Sequence, residues 1–114
     1  MSTILESVKK KIGPIEGYDH FNEELIDHIN TSFSILHQAG VGPKEGFFIE
    51  DGSEEWDSFL TDGAEQKMVR TYVALKARLY FDPPSNGTLM DAMKSQIAEL
   101  EWRLNVDAET PDNT

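Results

Sequence analysis

The sequence predicts an all-α fold, a small bundle of four main helices with a long irregular loop between the second and third. Three observations predict it. Apolar residues recur at helical spacing in four segments. Glycine or proline breaks stand between those segments: Gly13-Pro14, Gly40 with Gly42-Pro43, and Pro83-Pro84. The 114 residues are one domain's worth, enough to bury about two-thirds of the extended chain's surface.

The first helix is expected over 2–12. Thr3 and Glu6 have the spacing of a capping box, Ile4, Leu5, Val8 and Ile12 line one face, and Lys9, Lys10 and Lys11 favour the C-terminal end of the dipole. Gly13-Pro14 stops it. The second helix is expected over 20–39 with Asp19 as N-cap; Phe21, Leu25, Ile29, Phe33 and Leu36 form its apolar face, and Gly40 ends it.

Residues 40–63 are the irregular part. Phe47-Phe48-Ile49 is a short apolar run before the turn dipeptide Asp51-Gly52, a pattern compatible with a strand or small hairpin. Ser53 is placed to cap one or two helical turns carrying Trp56, Phe59 and Leu60. A connection this long in a compact domain is usually functional or disordered, and its aromatic content argues against disorder.

The third helix is expected over 64–81. Met68, Tyr72, Leu75 and Leu79 share one side, and Val69, Val73 and Tyr80 widen the arc until it implies burial on two sides. The fourth is expected over 89–104, with Thr88 as N-cap and a stripe of Leu89, Met93, Ile97, Leu100 and Leu104. Thus residues 1–105 form the helical domain, and residues 106–114, acidic and polar, read as a flexible tail.

The formal net charge of −11 argues against wrapping nucleic acid, whose binding rests on Lys and Arg neutralising phosphates. The charge is uneven. Residues 41–63 set Lys44 against seven carboxylates, a net of −6, while residues 64–82 carry Lys67, Arg70, Lys76 and Arg78 against Glu65 and Asp82, a net of +2. An acidic middle beside a basic helix suits head-to-side packing of identical subunits; it equally describes a solvated loop followed by an ordinary helix. No apolar run approaches ~18 residues, so no membrane span is expected. The opening MSTILESVKKKIG lacks the layout of a secretory signal, and the absence of cysteine rules out disulfides and thiolate metal sites.

Motifs for catalysis are scarce. There is no phosphate-cradling P-loop and no G-x-S-x-G elbow. The segment 51–62 has the acid content of a calcium loop, but Trp56 stands where the tight turn needs glycine and Asp62 where a glutamate is needed. His20, His28 and His37 are separated by eight and nine residues, so no i, i+4 pair clasps a metal. No enzymatic activity, metal or cofactor is expected.

Three features rise above this background. Trp102 falls opposite the stripe of the fourth helix, either as an aromatic anchor for a partner or covered by another helix of its own chain. Lys76 lies within the third helix's apolar arc, so its ammonium must snorkel or meet a carboxylate, from its own chain or a neighbour. Lys67, Arg70 and Arg78 cluster on one edge of that helix, as a subunit interface, a phosphate contact or a solvated face.

Two stretches carry a resemblance. TYVALKARLYFDPP at 71–84 resembles a signature of the head-tail connector, or adaptor, family of long-tailed bacteriophages. QIAELEWRLN at 96–105 resembles that family's closing helix, and Gly40-Val41-Gly42-Pro43 with Gly46-Phe47 its loop after the second helix. The resemblance implies a structural, all-α neck protein that forms a ring, usually a dodecamer, beneath the portal protein. Such a ring extends the DNA channel and offers a docking surface to a stopper or tail-completion protein. It implies no cofactor, no membrane, DNA only in non-specific passage, synthesis in the host bacterial cytoplasm and residence at the portal vertex. Beside it, the residues themselves make Lys67, Arg70, Lys76, Arg78, Trp102 and Arg103 the candidates for contacts between subunits. Carried onto this chain, the resemblance makes Asn105, Val106 and Asp107 candidates for portal contact, and Phe47, Phe48, Ile49, Glu50 and Asp51 for a loop facing the channel or the tail side. A second reading rests on charge and size alone: a small acidic helical regulator, DNA-mimicking or antitoxin-like, working through its acid-rich residues 45–62.

Overall fold

The computed structural model describes residues 3–12, 22–61, 63–81 and 83–109. Among them are five helices, α1 (Ile4–Ile12), α2 (Asn22–Gln38), α3 (Trp56–Phe59), α4 (Gly63–Phe81) and α5 (Gly87–Glu109), and no strand. The predicted all-α class holds, with α3 as the short helical turn expected in the connection. Asp19, Phe21 and the Gly13-Pro14 break lie outside the described residues.

α1 starts where Thr3 caps it: the Glu6 N–H donates to the Thr3 hydroxyl at 3.1 Å. Ile4, Leu5, Val8 and Ile12 are buried, as their spacing predicts. α2 buries Leu25, Ile29, Phe33 and Leu36. It ends at Gly40 with φ +88°. There the Gly40 N–H donates to the His37 carbonyl and the Val41 N–H to the Leu36 carbonyl, a Schellman motif that satisfies two orphan carbonyls.

α4 is the centre of the bundle and packs against α1, α2 and α5. Val69, Tyr72, Val73 and Ala77 are its fully buried face. The broad apolar arc therefore does imply burial on two sides, except that Tyr80 at its edge stays 52% exposed.

No strand or hairpin forms over residues 47–52. The backbone there is tied instead by one side chain of α2: Asn30 donates Nδ2–H to the Ile49 carbonyl at 2.9 Å and accepts from the Ile49 N–H at 2.8 Å. A two-point amide clasp satisfies the groups that a partner strand would have paired. Phe47 packs edge-on against Phe33 and Phe59, with centroids 5.2 and 5.4 Å apart. Gly42 sits at φ +92°, and a Cβ there would lie 2.4 Å from the Phe59 ring, so both conformation and space demand glycine. The α1 end of this connection is held by the Ile4 N–H donating to the Glu54 carbonyl and by an isolated bridge between Thr3 and Glu55.

α3 follows Glu55 with no side-chain cap, so Ser53 does not play the capping part its position suggested. Gln66, buried on α4, locks α3 down: its Nε2 donates to the Asp57 carboxylate at 2.8 Å and to the Leu60 carbonyl. The N-cap of α5 is Asn86 rather than Thr88; its Oδ1 accepts from the Thr88 and Leu89 N–H groups. The helix thus starts earlier than expected, and Leu89, in its first turn, is 60% exposed instead of joining the stripe. Met93, Ile97 and Leu104 are buried, with Leu100 packed beside them.

α5 also ends later than expected. It continues through residues 106–109, because nothing between Asn105 and Pro111 breaks a helix. Residues 110–114 of the expected tail lie outside the described residues.

Candidate functional site

The acidic connection is built to present a turn. Phe47 and Ile49 point inward, Ile49 fully buried, and act as anchors. Phe48 points outward and is 58% exposed. Beyond it the Glu54 carboxylate accepts from the Glu50 N–H at 2.7 Å and the Gly52 N–H at 3.1 Å. The Asp51 carboxylate accepts from the Ser53 hydroxyl and the Ser53 N–H, which together hold its pKa below the usual carboxylate value. Of the five loop candidates, then, Phe48, Glu50 and Asp51 are offered to the outside, on a backbone already hydrogen-bonded into shape.

The cations of α4 do not act as one strip. Arg70 turns to its own chain: it donates to Gln66 Oε1 at 2.9 Å and lies 5.5 Å from the centre of the buried Trp56 ring. Lys67 is exposed. Lys76 is half-buried and meets no carboxylate among the described residues; its ammonium lies 5.9 Å from the Tyr80 ring. That ring stacks on His28 with centroids 4.7 Å apart and planes 8° from parallel. His28, half-buried on α2, is accordingly packed against α4. His37 donates Nε2–H to the Lys44 carbonyl at 2.9 Å, which braces the start of the acidic connection.

Arg78 is exposed and, with Lys11, rims a groove floored by Ala74 and Leu75. Sequence reasoning left Lys11 out of the candidates. The signal was present in the Lys9-Lys10-Lys11 run, but nothing local places the last turn of α1 beside α4.

On α5, Trp102 is 65% exposed, so no helix among the described residues covers it. It bounds a shallow groove of about 210 Å³ with Met68, Arg103 and Val106. Arg103 pairs with Glu99 at 2.9 Å, an exposed i, i+4 pair that contributes little to stability. Asn105 faces inward and donates to the Ala39 carbonyl at 3.3 Å, tying α5 to the end of α2. The Asp107 side chain lies outside the described residues. Glu101 accepts from the buried Tyr72 hydroxyl at 2.7 Å. Among the described residues no three His, Asp or Glu side chains are placed to hold a metal ion.

The described residues thus form an all-α domain that shows large apolar side chains and an acidic turn on its outside, with that turn's backbone tied down by hydrogen bonds. The family model described as phage connector protein matches residues 4–111, and the chain belongs to that family. Its proteins are structural components of the phage neck rather than enzymes, and they associate with other head and tail proteins. No curated protein and no solved structure matches the chain. No helix among the described residues is long and apolar enough to cross a membrane.

Proposed function

We propose that this chain is a subunit of a homo-oligomeric ring in the virion neck, seated between the portal protein and a stopper or tail-completion protein, and that the ring extends the DNA channel. The observation that carries this reading is membership of the connector family over nearly the whole chain. Physical chemistry supports it. A net charge of −11 repels phosphates and leaves genomic DNA free to slide through without being gripped. Phe48, Leu89 and Trp102 are large apolar side chains outside the core, the kind that anchor interfaces.

In this reading Lys67, Lys76, Arg78, Trp102 and Arg103 lie at contacts between subunits, whereas the Arg70 guanidinium is committed to its own chain. Val106 and Asp107, on the outer turns of α5, contact the portal, with Asn105 fixing that end of the helix to α2. Phe48, Glu50 and Asp51 face the channel, the tail side or a neighbouring subunit. Family membership favours this over an acidic regulator, which rests on charge and size alone.

The test is cosedimentation of the purified chain with DNA-filled, tailless heads of the phage, followed by electron microscopy of the portal vertex. Ring density added at that one vertex is the expected result. A folded, helical protein that leaves heads unchanged, and instead inhibits a nuclease or polymerase stoichiometrically, would overturn the neck reading in favour of the regulator.

A further inference from the structure

We propose that the Phe48 turn of one copy docks into the Lys11–Arg78 groove of the next, a head-to-tail contact that forms the seam between subunits; the inference rests on the ring reading above and names its contact.

The groove is suited to an aromatic side chain carried between acids. Ala74 and Leu75 make its floor, Thr71 its wall, and Lys11 and Arg78 its rim, around about 210 Å³. Among the described residues neither Lys11 nor Arg78 meets a carboxylate, although the chain carries 21 acids against ten Lys and Arg.

The turn has the complementary character. Phe48 is the large apolar side chain of the connection left outside the core. Glu45, Glu50 and Asp51 around it are exposed. Glu54, Asp51 and Asn30 already hold the backbone on its far side and at Ile49, so docking orders little that is not ordered beforehand.

The two surfaces do not meet within one chain, since no residue of the connection lines the groove and Phe48 stays exposed. The connection is fastened to the first turn of α1, through Ile4, Thr3 and the contact of Gly52 with Leu5. The groove uses Lys11 in the last turn of the same helix. The two ends of α1 are roughly 12 Å apart at the rise of an α-helix. Every copy therefore presents the Phe48 turn and the groove as two separate surfaces. A heterologous contact of this kind propagates from copy to copy and closes into a ring when its rotation allows. Such a seam moves the Phe48 turn from the channel wall into the joint between subunits.

The chain has no native cysteine, so crosslinking reports the contact directly. Phe48→Cys chains are mixed with Thr71→Cys chains, loaded onto tailless heads and oxidised. The expected product is an intermolecular 48–71 disulfide in the mixture. Both positions are exposed, and circular dichroism of each free variant checks the fold. In parallel, Arg78→Glu should lower ring occupancy on heads about tenfold or more. Because each copy carries both surfaces, Glu50→Arg in the same chain should restore it. Wild-type rings that load normally, with no 48–71 crosslink and no loss from Arg78→Glu, would overturn this contact and leave the ring reading standing. A 48–48 disulfide would overturn it too, since it marks a two-fold pair. Wild-type protein that adds no ring to heads would remove the ring reading and this contact with it.

Discussion

Trp102 and Tyr72 are large aromatic side chains that the fold treats in opposite ways. Trp102 is left 65% exposed beside Met68 and Val106, so truncating it removes little from the core. Trp102→Ala is expected to change unfolding free energy by no more than about 0.5 kcal/mol in a urea titration. The same variant should weaken loading onto heads by about 2 kcal/mol, the usual cost of losing an aromatic anchor. A large fall in stability with unchanged loading would make Trp102 a structural residue. Tyr72 is buried, and burial first, then the hydrogen bond to Glu101 and its charge, push its phenol above the ordinary value of 10.0. The folded state thus favours the protonated phenol. Its stabilisation is complete below pH 10, the unfolded value, and is lost as pH rises from there towards the folded value. Stability should decline above about pH 10, and Tyr72→Phe, which costs about 1 kcal/mol at neutral pH, should make that decline shallower. Parallel pH profiles for the two proteins would contradict the assignment.

At the scale of elements, the acidic connection owes its order to α2 more than to itself. Asn30 supplies both hydrogen bonds that the buried Ile49 backbone needs, and Phe33 supplies the ring on which Phe47 rests. Asn30→Ala leaves a buried N–H and a buried carbonyl unpaired and is expected to cost about 1–3 kcal/mol. Hydrogen exchange locates the effect: the Ile49 amide should lose protection selectively, while amides in the middle of α4 keep theirs. Uniform loss across the domain would mean that the connection does not unfold as a separate unit. The apolar run at 47–49 has the composition of a strand without the strand. Its groups are satisfied by an amide side chain from a helix, which no local pattern announces.

At the scale of the whole molecule, α4 joins α1, α2 and α5, and among the described residues Leu104 is the last member of the core. Val106, just beyond it, is exposed, and α5 runs on to Glu109. Deleting residues 106–114 is therefore expected to leave the free domain folded, with its helical circular dichroism intact, while impairing attachment to portal-bearing heads in the cosedimentation assay. A truncated chain that docks as well as the full one would show that this end makes no portal contact.

How much was legible in the sequence follows from the range of the forces involved. The helices, their buried faces at Ile4, Leu5, Val8 and Ile12 or Leu25, Ile29, Phe33 and Leu36, and the stop at Gly40 were readable because helical periodicity and capping are local. The family was readable because its segments are contiguous. The start of α5 at Asn86 was not, since Asn86 and Thr88 are both good caps and only the packed helix chooses between them. Arg70 and Arg78 share one edge of the helix in sequence and Lys76 stands apart in the apolar arc, yet nothing local says where any of the three ends. The fold sent one to Gln66 and Trp56, one to Tyr80 and one to the groove beside Lys11. Sequence by itself thus determined the all-α class, the order of the main helices and most of the faces they bury. Tertiary structure alone decided which charges and rings remain available to a partner, because that depends on distances between residues far apart in the chain, set only when the helices pack.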